Sequence, residues 1–312
     1  MFPTTILLAV DGSPDSNRAA RMATRLSKAL DSELRVVLVG GRVPASGTVP
    51  GDPPLDADFE SWARESLERG TRERLEEQLE TIRAEGGEIS GFHSRIGRPD
   101  AEIVRLAEEI GAGLLVVGSR GFGQLKRAVM GSVSRSVVRH AHCPVLVDRG
   151  GSADPFSGEI LVGVDGSRDA SEAARAGVEI SAATGAGLHV VYVIDLEAYR
   201  PYPGPETWDG WQADQERATR VARSWVEGQA ERMRIGGGVK TVQAHLAFGD
   251  PDREITRLAG ELGAGLVVAG SRGLGGVRRM LLGSVSDSLV EHSPCPVMVV
   301  RGSVPGRKDV GG

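Results

Sequence analysis

Short apolar runs alternate along this chain with longer stretches in which apolar residues recur every three or four positions. In the first half, the apolar runs predict strands at Ile6–Val10, Leu34–Val39, Glu88–Ile96, Leu114–Val117 and Val145–Val147. The periodic stretches predict helices at Pro14–Leu30, Asp58–Ala84, Pro99–Ile110 and Ser132–His140. Ser13 is suited to cap the first helix, with Pro14 in its first turn. Alternating strands and helices indicate an α/β fold in which both faces of a parallel sheet are covered.

The second half repeats this order from Glu159 to Arg301. GRPDAEIVRLAEEIGAGLLVVG, ending at Gly118, recurs 152 positions later as GDPDREITRLAGELGAGLVVAG, ending at Gly270. We therefore predict two tandem doubly wound α/β domains, Rossmann-like and each with a five-stranded parallel sheet. The predicted bounds are 1–150 and 158–302, with a Gly/Ser/Pro-rich linker at 151–157 and a flexible tail at 303–312.

Composition narrows the classes of function. The 312 residues are 40% hydrophobic and 25% charged, with a net charge of −5, so no basic field attracts nucleic acid or an anionic membrane. No apolar run reaches the roughly 18 residues that cross a bilayer, and a cytoplasmic protein is expected. Cys143 and Cys295 sit at matching places and are interpreted as small buried hydrophobes.

Candidate binding residues fall at the carboxyl edge of each predicted sheet, where doubly wound folds bind ligands. An aspartate directly follows the first strand of each half, as Asp11 and Asp165. A glycine-rich loop follows the fourth strand, and its pattern is Gly-x2-Gly-x9-Gly-Ser in both halves. The loop matches neither a Walker loop nor a Rossmann glycine fingerprint.

The loop suits an anion because Gly118 and Gly121 allow a close backbone approach, and Gly131 and Ser132 precede a helix N-terminus. The hydroxyls of Ser132 and Ser134 can add hydrogen bonds. Basic residues in the nine-residue insert can screen phosphate charge: Lys126, Arg127, Arg278 and Arg279. The alternative is that the glycines only form a turn and Ser132 only caps a helix. The repetition of the spacing together with the aspartate favours ligand binding.

These motifs, with the Asp-Gly-Ser opening and the Cys-Pro-Val ending of each half, resemble the ATP-binding signature of the universal stress protein family. The resemblance implies two ATP molecules per chain, with the aspartates near the adenine-ribose moiety and the backbone after the second strand reading the adenine edge. The residues it assigns to the nucleotide in the first half are Ala9, Asp11, Val39, Gly118, Ser119, Arg120, Gly121, Gly131, Ser132, Val133 and Ser134. Those in the second half are Gly163, Asp165, Val193, Gly270, Ser271, Arg272, Gly273, Gly283, Ser284, Val285 and Ser286. Family members also pair domains through their last strands, which implies Val145–Val147 beside Val297–Val300 on a pseudo-twofold axis.

No catalytic residue is assigned. Asp11 and Asp165 can hold magnesium through water, although a bond to a ribose hydroxyl or to the nearby turn is the favoured interpretation. His140 and His292 lie near the end of the helix after the loop, which suits charge or packing better than acid–base work.

Three hypotheses remain: a nucleotide-dependent stress-response regulator with unidentified protein partners, a slow ATP hydrolase or nucleotidyl transferase, and an interaction module with vestigial sites. A homodimer is compatible with all three. An aromatic cluster in the second half, Tyr199, Tyr202, Trp208 and Trp211, is interpreted as loop packing in preference to partner docking.

Overall fold

A computed structural model describes residues 4–41, 57–121, 130–150, 156, 158–195, 208–239, 241–273 and 282–302. The chain divides into two compact units, residues 1–150 and 151–312. Several residues singled out from the sequence lie outside the described residues, namely Lys126, Arg127, Arg278, Arg279, Tyr199 and Tyr202, together with the tail at 303–312.

The first unit alternates strands and helices as the apolar pattern predicts. Its strands are β1 (Thr5–Val10), β2 (Glu33–Gly40), β3 (Ile89–Ile96), β4 (Leu114–Gly118) and β5 (Val145–Asp148). Its helices are α1 (Pro14–Ala29), α2 (Ala57–Ala84), α3 (Pro99–Glu109) and α4 (Ser132–His140). The predicted cap is confirmed, since the Ser13 hydroxyl accepts a hydrogen bond from the Ser16 backbone N–H at 3.2 Å.

The second unit repeats the same order of elements. Its strands are β6 (Glu159–Gly163), β7 (Gly187–Ile194), β8 (Val242–Phe248), β9 (Ala264–Gly270) and β10 (Val297–Val300). Its helices are α5 (Arg168–Thr184), α6 (Trp208–Gly237), α7 (Pro251–Leu262) and α8 (Ser284–His292). Trp208 and Trp211 thus lie in the first turn of α6. Ser167 caps α5 as Ser13 caps α1.

All described strand pairs within a unit are parallel, which confirms the predicted fold class. The first sheet has the order β3-β2-β1-β4-β5, and in the second β10, β9, β6, β7 and β8 lie side by side in that order. After β1 the chain moves to one side through β2 and β3, then returns to the other side at β4. The carboxyl ends of β1 and β4 therefore flank the topological switch point, where such sheets bind ligands.

The central strands are buried because helices cover both faces of each sheet. Ile6, Leu7 and Leu8 of β1 are fully buried, as are Leu114 and Leu115 of β4. Such continuous apolar burial is typical of parallel strands. Within the described residues, no helix is both long enough and apolar enough to span a bilayer.

The two cysteines differ in their surroundings. Cys295 is buried, as predicted, and burial raises the pKa of its thiol to about 11, so the thiol stays protonated at neutral pH. Cys143 is partly exposed. The prediction of a buried residue is therefore wrong for Cys143.

The histidines of β3 and β8 lie on a sheet face. His245 Nε2 and His189 Nδ1 of the neighbouring strand are 2.8 Å apart, and His189 Nε2 lies 3.0 Å from Glu159. Burial, with the charge of His189 as a smaller cause, lowers the pKa of His245. These contacts link three strands on the face covered by α7.

Candidate functional site

The first strand of each unit ends in a tight turn that holds an aspartate. Asp11 follows β1, and its Oδ1 accepts a hydrogen bond from the Ser13 backbone N–H at 2.9 Å. Gly12 between them has a φ of +86°, a left-handed conformation that glycine adopts without strain. In the second unit, Asp165 accepts the same bond from the Ser167 N–H at 2.9 Å. One carboxylate oxygen is thus bonded within the turn. The other, Oδ2, lies at the carboxyl edge of the sheet, next to the glycine-rich loop.

The loop after the fourth strand lies directly against this aspartate. A Cβ placed on Gly273 would stand 2.6 Å from Asp165 Oδ2, closer than real Cβ atoms approach another atom. A Cβ on Gly121 would meet Asp11 Oδ2 in the same way. The absence of a side chain at the second glycine therefore lets the loop lie close to the carboxylate. The close approach to a ligand that the sequence predicts for this glycine stays a prediction.

The first glycine of the motif has a different role. A Cβ on Gly270 would lie 2.6 Å from the backbone nitrogen of Ala170, and one on Gly118 would lie 2.9 Å from the backbone nitrogen of Ser16. Both positions face the first turn of the helix that follows the aspartate. The glycine lets β4 or β9 pack against the backbone of α1 or α5, so its requirement is structural.

A buried aspartate that the sequence reasoning did not single out holds the loop in place. Asp15, in the first turn of α1, accepts hydrogen bonds from the Ser119 hydroxyl at 2.7 Å and from Arg120 Nε at 2.9 Å. Ser119 is buried, and the Arg120 side chain is only 19% exposed. We call this arrangement of an aspartate with the Ser-Arg pair of the loop the loop clamp.

The loop clamp is duplicated. In the second unit the Asp169 carboxylate accepts bonds from the Ser271 hydroxyl at 2.6 Å and from Arg272 Nε at 3.1 Å. Both clamps lie inside their own unit. The available sequence signal was the recurrence of an aspartate four residues after Asp11 and Asp165, combined with the repeated Gly-Ser-Arg-Gly.

The clamp aspartates are ionised at neutral pH. Burial alone would raise the pKa of Asp15, but hydrogen bonds from Ser119, Arg120 and Arg18 outweigh it and hold the pKa below its ordinary value. Burial likewise opposes ionisation of Asp169, and bonds from Ser271 and Arg272 again leave its pKa lowered. The Ser119 and Arg120 side chains, predicted to contact nucleotide, are therefore engaged with Asp15.

The serine hydroxyls after the third glycine divide into two kinds. Ser134 donates to the Gly118 carbonyl at 2.6 Å, and Ser286 donates to the Gly270 carbonyl at 2.5 Å. Ser132 and Ser284, at the first helical positions, are exposed. The structure thus uses Ser134 and Ser286 to close the loop, and it leaves the hydroxyls of Ser132 and Ser284 at the surface.

The helix after the loop begins without a side-chain cap, because its N-cap is glycine. Gly131 is extended, and its own N–H donates to the Ser119 carbonyl at 2.8 Å. Among the described residues, the backbone N–H groups of Ser132, Val133 and Ser134 have no acceptor. Such free N–H groups, together with the positive end of the helix dipole, favour an anion. Gly283 and α8 repeat this arrangement.

These features line one cavity in the second unit, with a volume of about 620 Å³. The predicted residues that line it are Gly163, Asp165, Val193, Gly270, Arg272, Gly273, Gly283, Ser284, Val285 and Ser286. Ser271 is buried beneath the loop. The volume falls in the range of about 300–1,000 Å³ that is typical of small-molecule sites.

The wall of the cavity opposite the loop is apolar. Val191 and Val193 come from β7, and Pro251 and Ile255 come from α7. Of these four residues, only Val193 is predicted from the sequence. A Cβ on Gly163 would stand 3.2 Å from Ile255, so a larger residue at position 163 would displace the Ile255 side chain. The cavity therefore combines an apolar slot, a carboxylate and a helix N-terminus.

The histidines near the ends of α4 and α8 are bonded to their own helices. His140 Nδ1 lies 2.7 Å from the Ser136 carbonyl, and His292 Nδ1 lies 3.0 Å from the Ser288 carbonyl. The Ser136 hydroxyl donates to Asp100 at 2.8 Å. Because Nδ1 faces a carbonyl oxygen, the tautomer that satisfies this contact is the one with a proton on Nδ1. The bond between Ser136 and Asp100 ties α3 to α4.

Comparison with known proteins gives a consistent result for both units. The sequence model of the universal stress protein family matches residues 3–149 and again 158–301. A protein of Staphylococcus aureus (strain USA300) classed as a universal stress protein is 38% identical over 143 residues, which are 46% of this chain and 82% of that protein.

Solved structures extend the likeness to the whole chain. A universal stress protein from Archaeoglobus fulgidus DSM 4304 has a TM-score of 0.65 and 25% identity, covering 96% of this chain and 99% of that one. A protein from Pseudomonas aeruginosa UCBPP-PA14 of the same type has a TM-score of 0.59 and 19% identity, covering 96% and 93%. The second likeness concerns the fold alone.

Proposed function

The chain belongs to the universal stress protein family, and from that premise we propose that each domain binds one ATP and that nucleotide occupancy regulates a stress response. The observation that carries the proposal is the cavity of the second domain. It presents an aspartate, an apolar slot and an uncapped helix N-terminus within one volume of about 620 Å³.

Each part of the cavity suits one part of an adenine nucleotide. The free oxygen of Asp165 can accept a hydrogen bond from a ribose hydroxyl. Val191, Val193 and Ile255 offer apolar surface to a base. The N–H groups at the start of α8 suit phosphate oxygens, and magnesium held through water by Asp165 would lessen charge repulsion among the phosphates.

A regulatory role is favoured over a catalytic one because Asp169 and His292 are already bonded, and Asp165 is assigned to the ribose. Asp169 is held by Ser271 and Arg272, and His292 is bonded to its own helix. Asp165 is the carboxylate left facing the cavity. Binding therefore requires no group that the structure has committed elsewhere, whereas efficient hydrolysis would require a base to orient water.

The test begins with the full-length protein purified without added nucleotide. Denaturation releases bound small molecules for identification by chromatography, and calorimetry then counts the ATP bound per chain. About two ATP per chain supports the proposal. ADP formation with turnover that disappears in the double variant Asp11→Ala, Asp165→Ala would indicate an ATP-consuming enzyme. A chain without nucleotide and without affinity for any would overturn both.

A partner that reads the nucleotide state, a homodimer and a cytoplasmic location belong to the same proposal. Pull-down with and without ATP, and sedimentation of the purified chain, test the first two.

A further inference from the structure

A second cavity, of about 280 Å³, lies in the second domain between α5 and α6. Its walls are mainly apolar, with Ala174 and Val178 from α5 and Trp225 and Met233 from α6. This volume is just below the range of about 300–1,000 Å³ that is typical of small-molecule sites.

The indole of Trp225 forms a fixed wall of this cavity. Its ring centroid lies 4.9 Å from that of Tyr192, in a tilted arrangement. A Cβ on Gly166 would lie 3.6 Å from Trp225 Cζ2, so the indole also contacts the turn after Asp165. Tyr192 and Gly166 restrict the movement of the ring, and its remaining surface is available for a flat or apolar ligand.

The rim of the cavity carries positive charge. Arg175 and Arg232 are its charged lining residues, and the described lining contains no carboxylate. Arg175 pairs with Glu172 on its own helix. Arg232 is exposed and, in the part of the chain that the structure describes, forms no ion pair. An apolar volume with an uncompensated guanidinium at its mouth matches a ligand with an apolar body and one anionic group.

The first domain has an ion pair at the corresponding position. Arg21 of α1 corresponds to Arg175, and its Nη1 lies 3.2 Å from Glu85 at the end of α2. Glu85 stands three residues after the buried Ile82. Three residues after the equivalent buried Met233 stands Gly236. The bridge between the two helices is therefore absent from the second domain, where the described structure instead has a cavity.

We propose that the α5–α6 cavity is a second binding site, found in the second domain, for a small apolar monocarboxylate. The apolar body lies against Trp225 and Met233, and the carboxylate is bound by Arg232 and Arg175. The site is distinct from the nucleotide cavity, although Val164 and Ala170 line both. A small molecule bound there would contact the turn that positions Asp165.

Calorimetry on the full-length protein tests the proposal with 3-phenylpropionate as the probe. The neutral 3-phenylpropionamide and the cationic 3-phenylpropylamine serve as chemical controls. The titration is repeated with saturating ATP, because a probe that entered the nucleotide cavity would be displaced. We expect one probe per chain in both conditions and at least about tenfold weaker binding of the amide and the amine.

Two variants locate the site. Gly236→Glu recreates the first domain's ion pair with Arg175, and its Cβ meets no atom within 4 Å, so the fold accommodates it. We expect it to abolish probe binding. The matched control is Gly228→Glu on the same helix, where a Cβ also meets nothing and which does not line the cavity. Circular dichroism and thermal unfolding verify that both variants fold.

Arg232→Gln removes the unpaired charge from an exposed position and keeps the test decisive if Gly236→Glu fails to fold. We expect it to weaken binding of 3-phenylpropionate about tenfold and to leave the weak binding of the amide unchanged. Failure of 3-phenylpropionate to bind at millimolar concentration would overturn the proposal. So would equal affinity of amide and acid, or binding that survives Arg232→Gln and any folded Gly236→Glu. None of these outcomes depends on whether ATP binds.

Discussion

Ser119 donates its buried hydroxyl to Asp15 at 2.7 Å, joining the loop after β4 to the first turn of α1. The two residues are 104 positions apart in sequence. Their bond, repeated by Ser271 and Asp169, gives the glycine loop a fixed end without any contribution from a ligand. The Ser-Arg pair therefore supports the loop, and its contact with nucleotide stays a prediction.

We predict that Asp169→Ala destabilises the second domain. The substitution leaves the Ser271 hydroxyl and Arg272 without their acceptor in a buried place, and losing hydrogen bonds to a charged group costs about 1.5–3 kcal/mol. Urea unfolding monitored by circular dichroism measures the loss. The control is Glu231→Ala, which removes an exposed ion pair with Arg234 and should leave the midpoint unchanged. Equal midpoints for the two variants would contradict the clamp.

The loop clamp also predicts how the stability of the protein changes at low pH. The pKa of Asp15 and of Asp169 is lowered in the folded protein from an unfolded value near 3.8. Their stabilisation is therefore fully present above about pH 4 and is lost as the pH falls through the lowered folded values. We expect unfolding midpoints of the wild-type protein to fall steeply below that pH. The Asp15→Asn, Asp169→Asn double variant should show a shallower decline over the same range.

The first glycine of the Gly-x2-Gly segment, Gly270, should be required for stability, whereas an exposed glycine outside the segment should not. Gly270→Ala places a methyl group 2.6 Å from the Ala170 backbone, and overpacking of this kind costs about 1–3 kcal/mol. Gly260→Ala, in the exposed interior of α7 with nothing within 4 Å, should stabilise the protein slightly. Thermal unfolding compares them. A destabilised Gly260→Ala together with an unaffected Gly270→Ala would reverse the assignment.

Gly273→Val should abolish ATP binding at the second site. Its side chain would displace the Asp165 carboxylate and obstruct the cavity, so we expect loss of ATP at the second site while circular dichroism remains that of the folded protein. Gly121→Val should do the same at the first site. Calorimetric stoichiometry should fall from two to one for each variant. An unchanged count of two would show that the loop does not contact the nucleotide.

A negative charge at the first position of α8 should stabilise the protein and weaken ATP binding. Ser284→Glu places a carboxylate at a helix N-terminus, which stabilises the helix, but it opposes phosphate at the same N–H groups. We expect a raised melting temperature and ATP affinity at the second site reduced at least tenfold. Ser284→Gln is the neutral control and should change affinity much less. Equal losses for both variants would mean that size, rather than charge, is responsible.

The periodicity of the sequence predicted nearly all of the elements, because parallel strands buried on both faces are continuous apolar runs. Small differences occur at the ends, where α3 stops at Glu109 and β2 continues to Gly40. The repeat also predicted the glycine-rich loop and the aspartate after the first strand, Asp11 or Asp165. The clamp could not be predicted from local pattern, because Asp15 in a helix first turn resembles an ordinary N-terminal acid until the fold brings Ser119 to it. Ile255 was missed for a similar reason, since its apolar helix face serves both core and cavity.

Each described loop clamp is built from residues of a single domain. A mutation that loosens one clamp therefore leaves the loop of the other domain supported, so one domain can change while the other keeps its structure. The two domains already differ at position 85 and its equivalent, Gly236, since one copy has an ion pair there and the other has a cavity. A ligand that fits the α5–α6 cavity would therefore bind a single domain of the chain, although the two domains share one fold.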